Sequence, residues 1–73
     1  MLLSKVQVGH RGQIAKIQVS DKKKHLLNSI GCHIGEEVTL ISKLAGNYVI
    51  NIKDSRYAID EKMAKQIELA EAN

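Results

Sequence analysis

Apolar residues change their spacing several times along the chain, and each change predicts a different element. Leu26, Leu27 and Ile30 recur within one ~100° stripe of a helical wheel, so a helix over Asp21–Ile30 has one face to bury. Ser20 and Asp21 stand at its start, where a side-chain oxygen can accept from the free amide N–H groups of the first turn. Gly31 follows the last apolar position. A helix commonly stops there in a left-handed conformation, which costs a residue with a Cβ roughly 1–2 kcal/mol and glycine nothing comparable. Cys32 then falls two residues past the cap, placed to pack back on Leu27, and Gly35 frees the chain to turn into the next run. Lys23 lies inside the apolar stripe by helical angle. In the first turn its stem can follow the core edge with the ammonium in water.

Around this helix the period is two. Ala15, Ile17 and Val19 share one face of a strand over Gln13–Val19, with Lys16 and Gln18 opposite. Ile14 falls on the polar side and calls for a bulge or a second buried surface. Val38 and Leu40 give the inner face of a strand over Glu37–Lys43, with Thr39, Ile41 and Lys43 on the other. Gly46-Asn47 is a hairpin signal, and Tyr48, Ile50 and Ile52 form one face of the return strand over Tyr48–Lys53. Asp54-Ser55 marks a second turn into a short strand over Arg56–Ile59. Asp60 can cap a short helix, with Glu61 in its first turn where the dipole favours an anion, and Ala64 and Ile67 facing inward. Ile67-Glu68-Leu69 closes the sheet, and residues 70–73 are expected to fray. Before all this, Leu2, Leu3, Val6 and Val8 add apolar positions ahead of a turn at Gly9-His10-Arg11-Gly12. The pattern predicts a mainly β fold in one domain spanning residues 1–73. It is a small SH3-like, partly open barrel of about five short strands, with a helix between strands 1 and 2 and a short helix before the last strand.

Composition narrows what such a barrel can do. A chain of 73 residues buries only about 60% of its unfolded surface, which leaves no room for a deep catalytic cleft. Proline is absent and Tyr48 and Tyr57 are the only aromatics, so Val, Ile and Leu must fill the core. The single cysteine excludes an intrachain disulfide and suits a reducing compartment. The sequence shows no signal-peptide pattern, and no apolar run approaches the ~20 residues that span a bilayer. The expected location is the cytoplasm, without insertion into a membrane. The net charge is +3, and Lys22, Lys23 and Lys24 are consecutive. Such a run is either a solvated helix start or a surface for acidic groups or phosphates.

Candidate chemistry is sparse. Cys32, His33 and His25 raise the question of a metal, but a structural zinc site takes four ligands, commonly in paired spacings such as C-x2-C. One cysteine and three histidines without such a pair predict no metal site. Neighbours in an extended segment point to opposite faces, so Cys32 and His33 are poorly placed to share a proton. No serine-centred motif, phosphate loop or dinucleotide fingerprint occurs. No catalytic residue and no cofactor are therefore expected. What remains is adhesion. Lys22, Lys24 and His25 on the exposed side of the helix, with Cys32 and His33 in the turn after it, form the expected partner-binding surface. Leu26, Leu27, Ile30, Gly31 and Gly35 form its expected structural frame. Open strand edges also make a homo-oligomer possible.

Two resemblances bear on the partner. Val8-Gly9-His10-Arg11-Gly12-Gln13-Ile14-Ala15-Lys16-Ile17 resembles the KOW motif of ribosomal and transcription-factor SH3-like domains, which implies a nucleic-acid or ribosome-associated module. Against it stand the absence of Phe and Trp stacking platforms, an inward Tyr48 and eight carboxylates. Over nearly the whole length, Leu3 to Leu69, the order of Leu3-Ser4, Gly9 to Ile14, Leu27 to Gly31 with the overlapping Leu26 to Ile30 stripe, Gly35, and Ala64 to Leu69 resembles the ferrous iron transport protein A (FeoA) family. The chain departs from that pattern at Lys24-His25, where Arg-Arg is usual, at Ile34, where proline precedes the turn glycine, and at Ile59-Asp60, where Leu-Arg is frequent. The resemblance implies a cytoplasmic accessory protein of bacterial ferrous iron uptake that contacts the cytoplasmic part of a FeoB-type membrane permease and modulates transport. The same module occurs at the C-terminus of DtxR-type metal-dependent repressors as an interaction domain. A chain this short without a helix-turn-helix favours the transport accessory.

Overall fold

A computed structural model of the chain describes residues 1–70. After a 3-10 turn at Leu3–Lys5 come β1 (Arg11–Ile17), α1 (Asp21–Ser29), β2 (Glu37–Leu44), β3 (Asn47–Ile52), β4 (Ser55–Asp60), α2 (Glu61–Lys65) and β5 (Ile67–Leu69). All neighbouring strands are antiparallel, in the order β4-β3-β2-β1-β5. The sheet curls into a partly open barrel whose two edge strands, β4 and β5, are joined by α2. The fold is mainly β with five short strands and two short helices, as the hydrophobic pattern predicts. Ala70 is anchored through its amide, which donates to the Gln13 carbonyl at 2.8 Å. The rest of the tail expected to fray, residues 71–73, lies outside the described residues.

Strand β1 links the two parts of the sheet. Its first half pairs with β2 through Arg11, Gly12 and Gln13, and its second half pairs with β5 through Ile14, Lys16 and Ile17. Between them the register slips at Ala15. A bulge bends the strand and lets it serve two neighbours. It also removes Ala15 from the inward face it was expected to share with Ile17 and Val19. Ile14 and Ile17 are buried, Ala15 is exposed, and Val19 is half-buried beyond the strand's end. One extra residue puts positions three apart on the same face, so Ile14 needs no second buried surface.

A second slip, between Leu40 and Ser42, accompanies the half-buried Ile41. Both hairpins turn one residue earlier than expected. Ala45 and Gly46 have φ of 51° and 79°, Lys53 and Asp54 have φ of 49° and 66°, and Asn47 and Ser55 already belong to strands. Two successive positive φ values are what a two-residue type I′ turn requires to match the twist of its strands.

The inward faces of β2, β3 and β5 meet Leu27 of α1 and Ala64 of α2 in one core. Tyr48 is buried, and its hydroxyl donates to the Ser4 carbonyl at 3.4 Å. Lys43 Nζ donates to the same carbonyl at 3.1 Å, so the N-terminal segment is tied to β2 and β3. Ser20 caps α1, accepting from the Lys23 amide at 3.4 Å, and Asp60 caps α2, accepting from the Met63 amide at 2.8 Å.

Candidate docking surface

The surface is set by how α1 ends. The Gly31 amide donates to the Asn28 carbonyl at 3.0 Å and the Cys32 amide to the Leu27 carbonyl at 2.9 Å. These are the two bonds of a Schellman stop, and Gly31 has the left-handed φ of 84° that the stop requires. A Cβ at Gly31 would meet Lys53 Cδ at 3.5 Å and Ile52 Cγ2 at 3.6 Å, ordinary contacts. Glycine is needed here for its backbone freedom, not for space. The chain then turns again over residues 33–36, where the Glu36 amide donates to the His33 carbonyl at 3.0 Å and Gly35 has φ 92°. The Gly35 amide donates to the Ile14 carbonyl at 2.7 Å, and the Ile14 amide donates to the Glu36 carbonyl at 2.9 Å. This strap onto β1 holds His33 and Ile34 at the surface.

Two side chains depart from the expected roles. Leu26, expected in the buried stripe, is 62% exposed. The stop pins Leu27 into the core, and Leu26, about 100° around the helix, faces a gap between α1 and the β4–α2 corner. Cys32, expected among the partner contacts, is fully buried. Burial pushes its thiol up from 9.0 to about 11, so it is a protonated packing residue that no partner can touch.

With Leu27 facing inward, the flanks of α1 border two open depressions. On one side Leu26 and Ile30 look across to Tyr57, Ile59 and Met63, enclosing about 310 Å³. On the other, Lys24 and Asn28 look across to Ile17, His33 and Ile34, enclosing about 300 Å³. Lys22, Lys24, His25 and His33 are all exposed. The structure brings Lys24 and His33 to one depression and leaves Lys22 and His25 lining neither.

The wall formed by Tyr57, Ile59 and Met63 escaped the sequence reading. Its only trace there is the apolar alternation of Tyr57 and Ile59 in a short strand. That strand, β4, is an edge. Ile52 and Ser55 flank a two-residue turn and form a hydrogen-bonded pair, so Tyr57 and Ile59 bond inward to β3 while Arg56 and Ala58 direct their N–H and C=O groups outward.

Among the described residues the ion pairs are Arg11–Glu37 at 3.6 Å and Lys53–Glu36 at 3.9 Å, surface contacts worth little to stability. No three His, Cys, Asp or Glu side chains among them gather into a group able to hold a metal. Among the described residues no helix is long and apolar enough to cross a membrane.

Comparison with known proteins places this geometry. A family model described as "FeoA domain" matches residues 1–71. The FeoA of Stenotrophomonas maltophilia, solved with zinc, is described as a prokaryotic SH3 domain protein and a candidate activating factor of ferrous iron transport. It is 22% identical, with 96% of this chain and 89% of that one covered and a TM-score of 0.81. The FeoA protein of Chlorobium tepidum is 15% identical, with 94% and 68% covered and a TM-score of 0.88. A manganese-dependent transcriptional repressor is 17% identical, with 99% of this chain but only 41% of the repressor covered and a TM-score of 0.88. At these identities the likeness establishes the fold, which is SH3-like. No curated protein matches the chain.

Proposed function

The chain belongs to the FeoA family, which is associated with ferrous iron transport. From that premise we propose that it is a cytoplasmic accessory protein of bacterial ferrous iron uptake, a module without catalysis of its own that docks on the cytoplasmic part of a FeoB-type permease. The observation that carries this reading is the apolar depression between α1 and the open edge of β4, with Leu26 62% exposed on its rim. Folding leaves this leucine in water. Covering its remaining exposed surface by a partner is worth about 1–2 kcal/mol, and the neighbouring strand edge offers unpaired main-chain groups for an added segment. Modulation then follows from linkage. A bound protein shifts a transporter between states only by its difference in affinity for them, so this module acts by docking more tightly on one state of the permease.

The test is biolayer interferometry between the chain and the permease's isolated cytoplasmic domain. Leu26→Asp is expected to weaken binding by about tenfold or more, the loss typical of a central interface anchor, with no change in thermal midpoint. Joint reversal of Lys22 and Lys24 to Glu is expected to weaken it less, with an effect that fades at high salt. Unchanged affinity of the Leu26→Asp protein would remove the groove from the docking surface. A second reading, the interaction domain of a DtxR-type metal-dependent repressor, is favoured by the likeness to the manganese-dependent repressor. It predicts association with repressor chains instead of permease.

A further inference from the structure

The depression on the other flank of α1 has a different chemistry. Its apolar part is Ile17, the last residue of β1, together with Ile34, which is 64% exposed. Between these stand Lys24, Asn28 and His33. Lys24 and Asn28 are one helical turn apart and share a flank of α1. His33 approaches from the facing side because the glycine stop and the Gly35 turn reverse the chain. None of the lining residues is acidic. Among the described residues, neither Lys24 nor His33 has a carboxylate within 4.0 Å, and the Lys24 and Asn28 side chains donate to no protein acceptor. Lys24 and Asn28 thus line the depression beside an exposed isoleucine with their donors unused, while His33 Nδ1 lies 3.5 Å from the Ile34 carbonyl.

We propose that this depression is a socket for an acidic residue of a protein partner, with an apolar side chain next to the carboxylate. A carboxylate accepts from an ammonium and an amide in short, charge-assisted bonds. Ile34, set against the edge of the buried Ile17, gives the neighbouring apolar side chain a surface to cover. One ammonium and one imidazole match a single anionic group. A nucleic-acid backbone would need a row of cations and, for single strands, aromatic platforms, and this lining has neither. The inference rests on the docking reading above and adds the chemistry of the segment that docks. The two flanks of α1 would then grip one partner in different ways, an apolar groove on one side and a carboxylate socket on the other.

The test uses the chain in 15N NMR titrations with three probes: the peptide Ac-Ala-Leu-Glu-Leu-Glu-Ala-NH2, its Gln-for-Glu analogue, and inorganic phosphate. The Glu peptide is expected to shift the amides of Lys24, Asn28, His33 and Ile34, while the Gln peptide leaves them in place. Lys24→Glu should weaken the Glu peptide about fivefold or more, and Lys22→Glu, an equal change in net charge, less than about twofold. Equal shifts from phosphate and the Glu peptide at equal concentration would overturn the proposal in favour of a bare anion site. So would shifts confined to the Leu26 groove, no shifts with any probe, or tighter binding of a uridine decamer than of the peptide. The same variants on the permease's cytoplasmic domain separate the two readings. If the peptide binds the socket and the permease domain does not bind at all, the socket stands and the permease reading fails. If the permease domain binds and Lys24→Glu behaves like Lys22→Glu, the permease reading stands and the socket is overturned.

Discussion

Gly31→Ala tests the corner on which the docking surface depends. Gly31 has φ 84°, a left-handed conformation that costs an L-residue roughly 1–2 kcal/mol. The added methyl would meet Lys53 Cδ and Ile52 Cγ2 at 3.5 and 3.6 Å, so no steric term is added. Alanine also narrows the unfolded ensemble, which returns about 0.4–1 kcal/mol. The net loss is therefore at most about 1.6 kcal/mol, with a central value of about 0.8 kcal/mol. For a domain of this size, 1 kcal/mol moves the midpoint by about 4–8 °C, so thermal unfolding followed by circular dichroism should show a fall of roughly 3–6 °C. The urea midpoint should fall at unchanged m, because the surface exposed on unfolding is the same. Gly31→Asn should lose less, since asparagine tolerates the left-handed region. An alanine variant as stable as the parent, or an asparagine variant worse than alanine, would refute the left-handed stop as the origin of the cost.

The buried thiol predicts a pH dependence. Cys32 ionises near 9.0 when unfolded and is held protonated to about 11 when folded. Its contribution is fully present below pH 9 and is lost as the pH rises through 11, a loss on the order of 2 kcal/mol. Cys32→Ala should unfold more easily at pH 7 yet lose stability less steeply between pH 9 and 11, and equal slopes in parent and variant would exclude the thiol as the source. The bulge predicts that two neighbours respond in opposite ways. Ile14→Ala should cost about 2–4 kcal/mol, whereas Ala15→Asp should stay within about 0.5 kcal/mol of the parent. Urea unfolding of the two variants checks this, and the reverse order would restore the simple alternation.

The apolar spacing determined by itself where the elements lie. Helix α1, its serine cap, its glycine stop, the hairpin strands, the Asp60 cap and β5 all follow from residues within a few positions of one another, because caps, turns and amphipathic faces are local. What the tertiary structure alone decided depends on partners distant in sequence. Ala15 faces outward because β1 changes neighbour from β2 to β5 at that residue, and no window around Ala15 contains β5. Leu26 lies open because the β4–α2 corner stops short of covering it, a matter of where α1 rests on the barrel and not of helical period. Cys32, which the local stop already directs back toward Leu27, is lost to the contact surface because the core closes over it completely. Lys24 and His33 border the same depression only because the strap from Gly35 to Ile14 folds the loop back along the helix. Local sequence fixes which way a backbone turns; which surfaces then face each other is settled by the closure of the sheet.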